Sequence, residues 1–347
     1  MTGRDTSQWL GAAAVGVGAF WAGRTLVRLS RRFDLSGRLV LITGGSRGFG
    51  LLLAKAFADA GARVAACARD AGELERARQH LAADGHDLWT GTCDVTKPDE
   101  VRELIGRLRA EQGQVEVLIN NAGTIAVGPA AHMTLADYET AMATNFWAAL
   151  HATAEVVDGM RRRGRGRIVN VSSIGGKVAV PHLLPYSASK FAVTGWSEGL
   201  RAELRPAGVY VTTVVPGLIR TGSPPNATFK GRHRQEYAWF TTGDSLPLTS
   251  MDAARAARRV VAACVNGEAE VILSWQAKLV AKLVAKLNGL MPGSVAELSA
   301  LASRLLPAEG GVGSDGRTGW ESQSSTASSP LTALSDRATA TNNQLQA

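Results

Sequence analysis

The chain has 347 residues, of which 45% are hydrophobic and 20% charged, with 38 glycines and a net charge of +8. This fits a globular α/β protein with many tight turns, whose core is large enough to need no covalent staples. Cys67, Cys93 and Cys264 are an odd, widely spaced set without a CxxC pair, which argues against a disulfide framework or zinc site and for reduced thiols in a cytosolic setting. The positive charge is not gathered into one stripe with interleaved aromatics, so no nucleic-acid partner is expected.

Residues Thr6 to Gly23 carry no charge, and this stretch of eighteen is slightly shorter than a spanning helix wants. Arg24, Arg28, Arg31, Arg32 and Arg38 follow it. That is the wrong flank for a cleaved secretory signal, and by the positive-inside rule it holds the rest of the chain on the cytoplasmic side. Residues 1–33 are therefore expected to form a membrane anchor with a basic flank. The alternative is an amphipathic helix packed on the body of a soluble cytoplasmic protein.

Apolar, β-rich runs then occur at Leu39–Thr43, Val64–Ala68, Leu88–Cys93, Val115–Asn120, Arg167–Ser172, Val209–Val215 and Ala269–Leu273. Helical segments lie between them: Phe49–Ala60, Ala71–Ala83, Asp99–Glu111, Leu135–Arg162, Tyr186–Arg205 and Ser250–Asn266. This alternation predicts an α/β fold with a doubly wound, Rossmann-like parallel sheet of about seven strands over residues 34–274.

Residues 275–306 read as a helical extension. In Gln276–Asn288, Lys278, Lys282 and Lys286 form one stripe, and Leu279, Val280, Leu283, Val284 and Leu287 the opposite one. Packing on the sheet or a second subunit, and contact with a membrane, are both open for this helix. A second helical stretch, Val295–Leu306, follows Pro292 and Gly293. Residues 307–347, rich in Gly, Ser, Thr and Asn, are expected to be a disordered tail.

The first chemical motif is Thr43-Gly44-Gly45-Ser46-Arg47-Gly48-Phe49-Gly50, between a predicted strand and a predicted helix. Glycines there let the backbone approach a pyrophosphate held at the positive end of the helix. An NAD site places an acid at the end of the second strand. Here Arg69 follows Ala68, and Arg47 lies inside the glycine turn. Two guanidiniums suit a 2′-phosphate and point to NADP(H). Asp70 is the competing signal for a free ribose.

The second motif is Tyr186-Ser187-Ala188-Ser189-Lys190. Positions i and i+4 share a helix face, so the Lys ammonium is expected to lower the phenol's pKa for proton transfer to or from a substrate oxygen. Ser173, thirteen residues before Tyr186, offers a hydroxyl to the same oxygen.

In order, Thr43–Gly50, Asp94-Val95, Asn120-Asn121-Ala122-Gly123, Asn145, Ser173, Tyr186 with Lys190, and Pro216-Gly217 followed by Thr221 resemble the short-chain dehydrogenase/reductase family, in its compact TGxxxGxG subtype. The resemblance covers Leu35 to Leu273, about two-thirds of the chain. It implies that Asp94 contacts the adenine with Val95 beside it, and that Asn121, Ala122 and Gly123 line the cofactor. It implies that Asn145 holds a proton-relay water near Lys190, and that Lys190 also grips the nicotinamide ribose. Pro216, Gly217, Ile219 and Thr221 would cover the nicotinamide. Asn120 fits a structural and a functional reading equally. The resemblance suggests a homo-oligomer, and it says little about either end of the chain.

Substrate specificity is expected in Gly222 to Ser250, a long, loop-like, mixed segment in which Lys230, Arg232, His233 and Arg234 precede Tyr237, Trp239 and Phe240, the alternative being a helical lid whose aromatics pack down on the core. His151 and His182 have no Cys or carboxylate partner at ligand spacing, so no metal is expected. The sequence thus points to hydride transfer between NADP(H) and a carbonyl or secondary alcohol on a small lipophilic molecule, with membrane contact through residues 6–23 and 276–288. An NAD-dependent alcohol dehydrogenase working oxidatively, a silent NADP(H) sensor and a tethered scaffold are the alternatives.

Overall fold

The structure, a computed structural model, describes residues 30–245, 250–323 and 333–344. Of the expected anchor, residues 1–33, all but 30–33 lie outside the described residues, including the uncharged stretch 6–23. Among the described residues, no helix is long and apolar enough to cross a membrane.

Seven strands form one parallel sheet: β1 (Leu39–Thr43), β2 (Arg63–Ala68), β3 (Leu88–Thr92), β4 (Val117–Asn120), β5 (Gly166–Val171), β6 (Val209–Val215) and β7 (Glu270–Ile272). Their order is β7-β6-β5-β4-β1-β2-β3. The chain first winds outward from β1 to β3, then returns to β4 and winds the other way. The carboxyl ends of β1 and β4 therefore flank the switch-point crevice where such sheets bind ligands.

Helices cover both faces of the sheet, and further helices lie outside those layers. They are α1 (Gly48–Asp59), α2 (Ala71–Ala83), α3 (Pro98–Gln112), α4 (Leu135–Met142), α5 (Ala148–Arg162), α6 (Leu184–Leu204), α7 (His233–Ser245), α8 (Ala253–Asn266), α9 (Trp275–Leu290), α10 (Ser294–Ser303) and α11 (Ala333–Thr341). Successive residues of β1 point to opposite faces. Val40 and Ile42 enter a core with Leu51 and Phe57 of α1 and Val260 of α8. Leu39 and Leu41 enter the other with Ile105 of α3 and Met160 of α5.

The expected single helix over Leu135–Arg162 is interrupted. Residues Ala143–Trp147 form a π turn between α4 and α5, with Asn145 buried in it. A π turn adds a residue to the helical circuit and re-aims a side chain, which hydrophobic periodicity does not register. The loop-like span Gly222 to Ser250 contains α7, whose Tyr237 and Phe240 pack on Phe229, as in the helical-lid alternative.

Within the expected disordered tail, the described residues 307–323 and 333–344 are ordered. Arg317–Thr318 pairs antiparallel with Thr228–Phe229, and α11 docks with Ser335, Ala338 and Thr339 buried. Asn342 and Gln344 are buried as well. Composition undercounted this segment because it is held largely through polar side chains bonding to backbone groups, and only slightly through apolar burial.

The helices α9 and α10 stand apart. Ala277 is the one buried residue of α9, and α10 has none. Leu279, Leu283, Leu298 and Leu301 are each more than half exposed.

Candidate active site

The glycine turn joins β1 to α1 at the crevice. Gly44 has φ +64°, and a Cβ there would stand 2.9 Å from the Cα of Ala122. A side chain at Gly50 would run into the carbonyl of Gly44. Only glycine closes this turn. Asn121 braces it, donating from Nδ2 to the carbonyls of Thr43 (3.1 Å) and Gly44 (3.0 Å). Thr43 Oγ1 accepts the backbone N–H groups of Asn121 and Ala122. Helix α1 has no side-chain cap and no acid in its first turn. Its positive end thus has no side chain of its own competing with an anion, and the residues fit a dinucleotide's pyrophosphate.

Where a 2′-phosphate would lie, the arrangement is more complex than the sequence suggests. Arg47 Nη1 pairs with Glu73 Oε1 at 2.9 Å, and Ser46 Oγ donates to Glu73 Oε2 at 2.8 Å. Asp70, the competing ribose signal, caps α2 by accepting the N–H of Glu73 at 2.7 Å. Arg69 is exposed at the end of β2, close enough to Asp94 to help hold that carboxyl low against its burial, together with the hydroxyl and N–H of Thr96. Val95 is buried beside it. Phe49 packs against the core, and Ile219 is buried in the same cluster.

The Tyr–Lys motif lies in the first two turns of α6. Lys190 is buried and donates from Nζ to the carbonyl of Val171 at 2.8 Å. Burial pushes its ammonium down to about 8. Its Nζ is 5.7 Å from the Tyr186 ring centre. The expected lowering of the phenol by this cation is not what the structure shows. Burial raises Tyr186, and the neighbouring Ser173 hydroxyl offsets part of that. Both groups flank Gly175, where a Cβ would lie 3.3 Å from Tyr186 Cε1 and 3.5 Å from Ser173 Oγ. Ser173 Oγ also accepts the N–H of Gly175 at 3.0 Å, which fixes its rotamer.

Asn145 is held by three hydrogen bonds. Its Oδ1 accepts from Thr124 N (2.9 Å), and its Nδ2 donates to Thr124 O (3.2 Å) and Ser189 Oγ (2.8 Å). Gly123 stands between Asn145 and Lys190, since a Cβ there would be 2.9 Å from Asn145 Oδ1 and 3.7 Å from Lys190 Nζ. Asn120 donates to Thr153 Oγ1 and Asn170 Oδ1, tying β4 to β5 and α5. That is a brace within the sheet.

Pro216 anchors the following loop by accepting the N–H of Ile174 at 2.7 Å. Gly217 lies against Ser274 Oγ. The carbonyl of Thr221 accepts Asn342 Nδ2 at 3.1 Å, and Gly48 N donates to the carbonyl of Asn342 at 2.8 Å. Residues near the C-terminus thus lie between the glycine turn and the loop after β6.

Several site residues escaped the sequence reading. Glu73 was legible as an Asp-x-x-Glu cap signal with Asp70, but its grip on Arg47 was not. Buried Glu236 of α7 accepts Trp239 Nε1 (2.6 Å) and pairs with His182 Nδ1 (2.8 Å). His182 thus has the carboxylate partner its sequence neighbourhood lacks, and it sits at φ +64°. Among the described residues, no cluster of three metal-ligating groups occurs. A cavity of about 950 Å³ adjoins the start of α6, lined by Val178, Pro181, His182, Phe191, Val284 and Leu306 among others.

A family model for short chain dehydrogenases matches residues 38–228. The chain is 37% identical over 185 residues to the putative ketoacyl reductase 1 of the granaticin polyketide synthase from Streptomyces violaceoruber, covering 53% of this chain and 68% of that protein. It is 34% identical over 255 residues to a dehydrogenase/reductase SDR family protein 7-like from Drosophila melanogaster, covering 72% and 76%. The solved structure of a single-substitution variant of the actinorhodin polyketide ketoreductase with NADPH superposes with a TM-score of 0.61 at 28% identity, over 68% of this chain and 95% of that one. The fold, the glycine turn and these relatives lead to one conclusion: the chain belongs to the short-chain dehydrogenase/reductase family, oxidoreductases that interconvert alcohol and keto groups.

Proposed function

We propose that the protein reduces a keto group on a lipophilic, acyl-type substrate with NADP(H), using Tyr186 as the proton donor. The observation that carries this reading is the convergence of Ser173, Tyr186, Lys190 and Asn145 from separate segments beside the crevice. When bound, a reduced nicotinamide supplies hydride. Tyr186 donates its phenolic proton to the forming alkoxide, and Ser173 Oγ orients the oxygen. Lys190, buried beside the Tyr186 ring, holds a positive charge at the ribose side. Asn145, fixed by Thr124 and Ser189, marks where a relay water exchanges protons with Lys190.

Arg47 and Arg69 support the phosphorylated cofactor, in line with a structural relative bound to NADPH. The similarity to a putative ketoacyl reductase supports a lipophilic substrate, as does the mostly apolar cavity of about 950 Å³ that adjoins α6 at Leu184, although Ser173 and Tyr186 are not in its lining. The test is oxidation of NADPH and NADH by the purified protein with a panel of 3-ketoacyl thioesters and simple ketones. Turnover with NADPH on the acyl probes is expected. A strong preference for NADH, or turnover of short polar ketones alone, overturns this reading.

The exposed faces of α9 and α10 support contact with an anionic membrane surface. Lys278, Lys282 and Lys286 are exposed beside uncovered Trp275, Leu279 and Leu283. Replacing the three lysines by glutamate is expected to abolish cosedimentation with anionic vesicles, and unchanged cosedimentation refutes the contact.

A further inference from the structure

The residues from 333 to 344 are not accounted for by the family's compact pattern or by the reaction, yet they reach the crevice. Helix α11 lies along α7 and the loop after β6, where Ser335 Oγ donates to Asp244 Oδ2 and Thr339 Oγ1 donates to the carbonyl of Gly222. The chain then crosses the glycine turn. Asn343 Nδ2 donates to the carbonyls of Ser46 (2.8 Å) and Glu73 (3.0 Å), while its Oδ1 accepts from Arg76 Nε (2.8 Å). Asn226 Nδ2 donates to Gln344 Oε1 at 2.8 Å, on the far side of the crevice. At the centre, the N–H of Gly48, first donor of α1, is taken by the carbonyl of Asn342 at 2.8 Å. The Gln344 amide packs on the face of Gly48 where a side chain would be.

This segment therefore bridges the two loops that flank a bound dinucleotide's pyrophosphate, and it uses a donor the pyrophosphate needs. Most of its ligands are neutral amides and carbonyls, with the Arg76 guanidinium on Asn343 Oδ1 as the charged exception, and its buried helix face is small: Ser335, Ala338 and Thr339. Hydrogen bonds between neutral groups are individually weak, whereas a phosphate at a helix N-terminus makes charge-assisted ones. The contact is built to be displaced. We propose that residues 342–344 and the dinucleotide exclude one another at the glycine turn, making the C-terminal segment an autoinhibitory strap. The inference rests on the NADP(H) reading above.

Occupancy by the strap lowers apparent cofactor affinity by the fraction of molecules that are open. A chain ending at Thr341 keeps α11 and removes the strap. Its Kd for NADPH, from cofactor fluorescence, is expected to fall by about tenfold relative to the full chain. Asn343→Ala, which keeps the chain length, is expected to tighten binding by about threefold. In the full chain, saturating NADPH is expected to remove hydrogen-exchange protection from the peptide covering 333–344. Equal or weaker binding by both variants, or protection retained with NADPH bound, overturns the strap alone. If both folded chains bind neither NADPH nor NADH, the dinucleotide reading falls and the strap falls with it.

Discussion

Glu73 holds Arg47 in an ion pair at 2.9 Å, so a guanidinium proposed to receive a 2′-phosphate is already engaged by a carboxylate. A phosphorylated cofactor must compete with Glu73 for Arg47 and must also tolerate its negative charge nearby. Glu73→Gln removes both obstacles. Partly exposed pairs of this kind are worth about 0.2–1 kcal/mol, so Kd for NADPH is expected to fall by about threefold, with that for NADH little changed. Titration of both cofactors against the variant checks this, and an unchanged ratio would separate Arg47 from cofactor choice.

Tyr186→Phe removes the proton donor and leaves the ring in place. A loss of about 10²–10⁴ in kcat is expected, with cofactor affinity within about twofold of the parent. Steady-state kinetics and fluorescence binding measure the two separately. A variant that kept most of its turnover would assign the proton to another group.

Burial puts the Lys190 ammonium at about 8. Its charge is present below that pH and lost above it. Cofactor affinity is therefore expected to weaken as pH rises from about 7 to about 9, as one cation facing an anionic ligand disappears. In Lys190→Gln that limb should be flat. Because Tyr186 is raised by burial, no phenol titration is expected in the same window. A limb that survives in Lys190→Gln would point to a different group.

Asp244 is buried in α7, and burial pushes its carboxyl up to about 7, with Ser335 and Arg220 opposing. In the unfolded chain the group ionises near 3.8. A raised folded pKa contributes stability at low pH that is lost as pH rises through the folded value. The loss spans about pH 4 to 7 and amounts to at most about 4 kcal/mol. Asp244→Asn is neutral throughout, so its gain in Tm over the parent should be larger at about pH 8 than at about pH 4. Equal differences at the two pH values would remove Asp244 from the pH response.

Much of this molecule was legible without coordinates. Alternation of apolar runs with helical segments determined the seven strands and most helices within a residue or two, because the periods of 2 and 3.6 are local. Thr43–Gly50 and Tyr186–Lys190 were equally legible, since the turn and the i,i+4 spacing are set by neighbours in sequence. What sequence did not carry was every relationship between distant segments. Asn145 is aimed by a π turn and pinned by Ser189. Arg47 is claimed by Glu73. His182 finds its carboxylate in Glu236, 54 residues away. The C-terminal residues read as disordered because their composition has little to bury. Their order comes from hydrogen bonds to Ser46, Gly48 and Thr221, nearly three hundred residues earlier in one case. Local periodicity records which face of an element is apolar. It holds no record of which polar groups the fold brings together, and in this protein those pairings decide what reaches the glycine turn.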